Sequence, residues 1–157
     1  MKKCLLLTLG LYMGFALFAQ VQQKPGSGNA LSFNGLTNYM GVPDDDGVND
    51  FTTRAEFTIE CWVKINPVQV DLSLTTNIII AKVTGNAVHY SIFYYNQSAG
   101  SDAGKIVVAQ YNETQTSLIN SQKIVGDNQW HHIAFARRAL PLNTFVLYVD
   151  GIFQGSV

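Results

Sequence analysis

A succession of short β-rich runs, with no segment that reads as a convincing helix, constrains the fold of this chain more than any other feature. ALSFNG, NYMGV, EFTIECWVKI, NIIIAKV, AVHYSIFYYN, GKIVVAQYN, HHIAFARR and TFVLYVD follow one another between turns of Gly, Asn and Asp. Many short strands with such punctuation predict an all-β, antiparallel sandwich or barrel. Side chains alternate across a strand. In EFTIECWVKI this puts Phe57, Ile59, Cys61, Val63 and Ile65 on one face, and Glu56, Thr58, Glu60, Trp62 and Lys64 on the other. In AVHYSIFYYN, Val88, Tyr90, Ile92 and Tyr94 oppose His89, Ser91, Phe93 and Tyr95. Asp150-Gly151 separates TFVLYV from IFQGSV, and Asp-Gly is a favoured two-residue hairpin turn because both positions take positive φ. The sequence ends inside that second strand, so further strands are expected beyond Val157.

The chain opens with MKKCLLLTLGLYMGFALFAQ, two lysines before an apolar run with small residues near its end. This is the grammar of a secretory signal peptide, expected to be cleaved between Ala19 and Gln20. The run falls short of the ~20 residues a spanning helix needs, so no membrane span is expected after cleavage. Residues 20–29 form a flexible lead-in, and 30–157 suit one domain. A net charge of −1 offers no basic face for nucleic acid and no attraction to an anionic membrane. With Cys4 removed, Cys61 has no partner for a disulfide and is expected to be a small buried residue.

Two of the three histidines stand side by side in WHHIAFARR. On a strand, neighbouring side chains point to opposite faces, so His131 falls with Ile133 and Phe135, and His132 with Trp130, Ala134 and Ala136. Such a pair cannot chelate one ion, and a structural role is expected. Trp62, Trp130, His132, Asp150 and Gly151 are accordingly assigned to packing and to the hairpin.

WHHIAFARR followed by LYVDGIFQGSV resembles the "WHH…lyvDG" signature of laminin G-like domains, within the concanavalin A-like lectin and glucanase superfamily that includes pentraxins. NALSFNGLTNYMGVPD, FTIECWVKI and IIIAKV resemble the family's preceding motifs in the same order, covering Asn29 to Val157. The resemblance implies a jelly-roll sandwich of two antiparallel sheets, with a ligand or calcium site on loops or on the concave face. Family members normally continue past the DG hairpin. Pentraxins join the strands matching FTIECWVKI and HHIAFARR by a disulfide, for which the second strand here has no cysteine.

Catalysis is not expected within this segment. Glycoside hydrolysis needs two carboxyl groups about 5–9.5 Å apart. Of the only glutamates, Glu56, Glu60 and Glu113, the first two share a face but lie ~13 Å apart along an extended strand. The run VPDDDGVND is rich enough in oxygen to suggest calcium, with Asp44, Asp46, Asn49 and Asp50 as candidate ligands. For a glycan, aromatic rings must stack on sugar faces; Tyr94, Tyr95, Tyr111 and Trp62 have the chemistry, and with Trp62 assigned to packing the three tyrosines are the candidates. Asn96 and Asn112 head glycosylation acceptor patterns. The sequence therefore predicts a secreted, non-catalytic recognition or adhesion module for a glycan or extracellular protein, possessing further domains in a longer chain. The alternative is the carbohydrate-binding part of an extracellular glycosidase.

Overall fold

The computed structural model describes residues 30–43, 56–68, 72–84, 87–111, 116–138 and 144–157. Eight strands build two antiparallel four-stranded sheets. Strands β1 (Phe57–Lys64), β6 (Trp130–Arg138), β7 (Thr144–Val149) and β8 (Ile152–Ser156) form the first, in the order β1-β6-β7-β8. The second takes β2 (Thr76–Thr84), β3 (Ala87–Tyr95), β4 (Lys105–Tyr111) and β5 (Thr116–Ile124) in chain order. A 3₁₀ turn at Gln97–Asp102 links β3 to β4.

Alternation decides which side of each strand meets the other sheet. On β1, Phe57, Ile59, Cys61 and Val63 turn inward, while Thr58, Glu60, Trp62 and Lys64 are exposed. Ile133, Phe135, Leu147 and Val149 of the same sheet meet Ile92, Tyr94, Ile106, Val108 and Ile119 of the second. Phe57 stands edge-on to Phe135, with centroids 5.6 Å apart. Each such fully buried side chain stabilises the fold by roughly 1.5–3 kcal/mol.

The sheets are fastened along one side, where β5 runs beside β8. Gln154, displaced by a bulge in β8, turns its side chain inward, and its Oε1 accepts the backbone N–H groups of Gln122 and Lys123. Gly155 allows the approach, since a Cβ there would lie 2.9 Å from Ile119 Cγ2.

Two sequence expectations fail. ALSFNG and NYMGV form no strand; residues 30–43 are exposed throughout. A strand needs a neighbour for its backbone groups, and none of the described strands pairs with this segment. Asn34 instead turns the chain, its Oδ1 accepting the N–H groups of Leu36, Thr37 and Asn38. Conversely TSLINSQKI, too polar to stand out, is β5. Ser121 explains its tolerance of polar residues, because its hydroxyl accepts Ile106 N–H and donates to Lys123 O.

Candidate functional site

The adjacent histidines part as a strand requires, and each has a different task. His131 points inward and is 5% exposed. Its Nδ1 lies 2.7 Å from Asp150 Oδ2 and its Nε2 3.0 Å from Asp127 Oδ1. Asp150 occupies the hairpin between β7 and β8 at φ 52, followed by Gly151 at φ 75. Its carboxylate also takes the ammonium of Lys123 and the backbone N–H of His132. Asp127 accepts Gln129 N–H from the loop before β6. The cluster thus joins β5, β6, the β7–β8 turn and the loop before β6.

Its electrostatics leave no chemistry to spare. Burial raises the Asp150 pKa, but the bonds from Lys123, His131 and the His132 backbone outweigh it and hold the carboxyl down at about 2. The bond from His131 and that from the Gln129 backbone lower Asp127. Burial disfavours charge on His131, yet its two carboxylate partners prevail and raise its pKa. Both ring nitrogens face carboxylate oxygens, an arrangement that favours the doubly protonated ring and turns neither nitrogen toward a metal. The cluster is a lock between strands. Among the described residues no group of three or more His, Cys, Asp or Glu side chains could hold a metal ion. The calcium candidates Asp44, Asp46, Asn49 and Asp50 lie outside the described residues.

The second histidine belongs to the surface. His132 packs at a tilt against Trp62, with centroids 5.2 Å apart, and its Nε2 lies 3.4 Å from Glu60 Oε2. This corrects the assignment of the tryptophans to packing: Trp62 is 49% and Trp130 42% exposed, because both occupy outward positions that no other described strand covers. Residues facing outward from this sheet follow its register. One row runs Glu60, Ala134, Tyr148, Phe153; the next runs Thr58, Ala136, Val146. Tyr148 and Phe153 meet edge-on at 5.9 Å. Two alanines thus stand between β1 and Tyr148 of β7 in these rows. An open groove of about 470 Å³ nearby is lined by Glu56, Phe57, Thr58, Ala136, Arg137, Arg138, Val146 and Tyr148.

The three tyrosines singled out from sequence do not converge. Tyr94 is 2% exposed and packs in the core, its hydroxyl against Gly126, with burial raising its pKa. It is not available to a ligand, which corrects its assignment as a stacking residue. Tyr95 and Tyr111 are partly exposed but stand at opposite ends of the second sheet's outer face, roughly 20 Å apart at the rise of a strand. The aromatic face on β1, β6, β7 and β8 was missed because a lone tryptophan on an alternating strand reads equally as core. The available signal was Ala134 and Ala136 on the outward side of β6, where a strand covered by a second layer would carry bulk.

Cys61 is partly buried and free; burial pushes its thiol up to about 11. No helix among the described residues is long and apolar enough to cross a membrane. No curated protein sequence matches the chain. A family model, Laminin_G_3, described as concanavalin A-like lectin/glucanases superfamily, matches residues 33–157. With two antiparallel sheets, a WHH strand and a DG hairpin in place, the chain belongs to this laminin G-like family of the concanavalin A-like lectin/glucanase superfamily.

Proposed function

We infer that this domain is an extracellular, non-catalytic recognition module that binds a glycan or protein ligand through the outer face of its β1-β6-β7-β8 sheet. The observation that carries the reading is the exposure of Trp62, Trp130 and Phe153 beside Tyr148 on one face of a lectin-superfamily sandwich. A solvated face needs no large aromatics, and a cluster of them rimmed by polar groups marks a binding surface. Export is supported by the Met1–Ala19 pattern of charge and apolar residues. The acidic run at 44–50 supplies carboxylates with which calcium would assist binding. Glu60, the carboxylate nearest the aromatics, is matched to His132 rather than to a second acid, which supports binding without hydrolysis.

The test is to apply the secreted chain to immobilised glycans and extracellular matrix proteins, in calcium and in chelator. Saturable binding weakened by Trp62→Ala is expected. Binding indifferent to Trp62 and Trp130 together would remove the face from consideration, and equal binding in chelator would remove calcium.

A further inference from the structure

We propose that the side-chain nitrogen of Asn96 is a glycan acceptor only in the unfolded chain, so that folding and N-linked glycosylation at this position exclude one another. Asn96-Gln97-Ser98 has the acceptor pattern, and such glycans are bulky and belong on surfaces. The fold puts this asparagine inside. Asn96 is 0% exposed, between the end of β3 and the 3₁₀ turn at Gln97–Asp102. Its Nδ2 donates to Leu74 O and to Asn77 Oδ1, the latter 3.2 Å away. Its backbone N–H donates to Thr75 O at 3.0 Å. Its Oδ1 accepts the backbone N–H of Ser98 at 2.9 Å and the Ser98 hydroxyl at 2.6 Å. One side chain thus ties the turn after β3 to the approach to β2.

Glycan transfer competes with this arrangement. An oligosaccharyl diphosphate lipid supplies the sugar: Nδ2 bonds to the anomeric carbon, the bond from that carbon to the diphosphate oxygen breaks, and one Nδ2 proton passes to a base of the transferase. A primary amide has two N–H donors. The substituted nitrogen keeps one, which cannot serve both Leu74 O and Asn77 Oδ1. The carbon that replaces the other proton needs space where the residue has no exposed surface. The Ser98 hydroxyl, the third element of the acceptor pattern, is turned back onto Asn96 Oδ1 rather than offered to an enzyme. A sugar therefore reaches Asn96 before β2 and β3 close or not at all, and a chain that has received one lacks a bond on which that end of the sheet is built.

The test uses the full chain with Asn112→Gln, because Asn112, which lies outside the described residues, heads a second acceptor pattern. A purified oligosaccharyltransferase and its lipid-linked oligosaccharide, their activity checked on an unrelated acceptor peptide, are applied to this chain. They are also applied to the same chain carrying Phe135→Asp and Ile106→Asp, which put charges into the core and whose unfolding is confirmed by the loss of a cooperative melt. Peptide mass mapping reads occupancy at Asn96. The unfolded chain should be modified, and the folded chain about a hundredfold more slowly or less, since modification must wait for local opening. Equal rates would overturn the proposal. So would an unfolded chain that stays unmodified, because the pattern and not the fold would then exclude the sugar. Separately, Asn96→Asp keeps an oxygen for Ser98 and removes both Nδ2 donors. Its melting temperature should fall by about 5 °C or more. An unchanged melt would show the Nδ2 bonds to be dispensable and a substituted nitrogen to be compatible with the fold.

Discussion

Replacing Asp150 by Asn isolates the charge of the inter-strand lock from its shape. Asn keeps the side-chain size and tolerates the left-handed backbone at φ 52. It also keeps an oxygen for the His132 N–H, while the oxygen that faced Lys123 and His131 becomes an amide N–H₂, so the negative charge and its acceptor are lost together. The magnitude follows from the carboxyl pKa, displaced from 3.8 to about 2. One pKa unit is ~1.4 kcal/mol, so the displacement corresponds to about 2.4 kcal/mol. The side chain is 27% exposed, and solvent screening of such a pair reduces the expectation to ~1–2 kcal/mol. For a domain of this size that is a fall of roughly 3–8 °C in melting temperature. The pH dependence carries the sign. A carboxyl with a depressed folded pKa stabilises fully above its unfolded value near 3.8 and loses that contribution as pH falls toward 2. His131, with a raised folded pKa, contributes fully below 6.5 and loses its share as pH climbs through the folded value. The deficit of Asp150→Asn should therefore peak between about pH 4 and 6.5, shrink toward zero near pH 2, and diminish in alkali. Thermal melts followed by circular dichroism at pH 2.5, 5.5 and 8.5 read it directly. An equal deficit at all three would refute the charge argument and leave only a packing defect.

Three further outcomes follow from the packing. Gly126→Ala would place a Cβ 2.2 Å from the Tyr94 hydroxyl; with Tyr94 fixed in the core, overpacking should cost ~1–3 kcal/mol in denaturant unfolding. Gln154→Ala strips the acceptor from two β5 amides and should cost ~1–3 kcal/mol, with faster hydrogen exchange at Gln122 and Lys123. Cys61, with its thiol at about 11, should resist thiolate-dependent alkylation at pH 8 in the native protein and react on unfolding. Native-state labelling as fast as that of a free thiol would contradict its packing.

Much of the fold was legible because alternation is a local property. The inward set Phe57, Ile59, Cys61 and Val63 could be read from order alone, and so could the separation of His131 from His132. TSLINSQKI was not legible, since its polar residues are accommodated by partners remote in sequence: Ile106 for Ser121, and Gln154 for the amides of Gln122 and Lys123. ALSFNG misled in the other direction, because strand-like composition yields a strand only where a neighbour takes up its backbone groups.

The sequence by itself determined the all-β class, the alternating faces, the Asp-Gly hairpin and membership of the laminin G-like family. Each rests on residues close together in the chain. Tertiary structure alone decided that His131 is clamped between Asp127 and Asp150, and that Tyr94 lies inside. It also decided that Trp62, Ala134, Ala136 and Tyr148 share the outward face of one sheet. Those arrangements depend on which strands become neighbours and in what register, and on which face of each sheet turns toward the other.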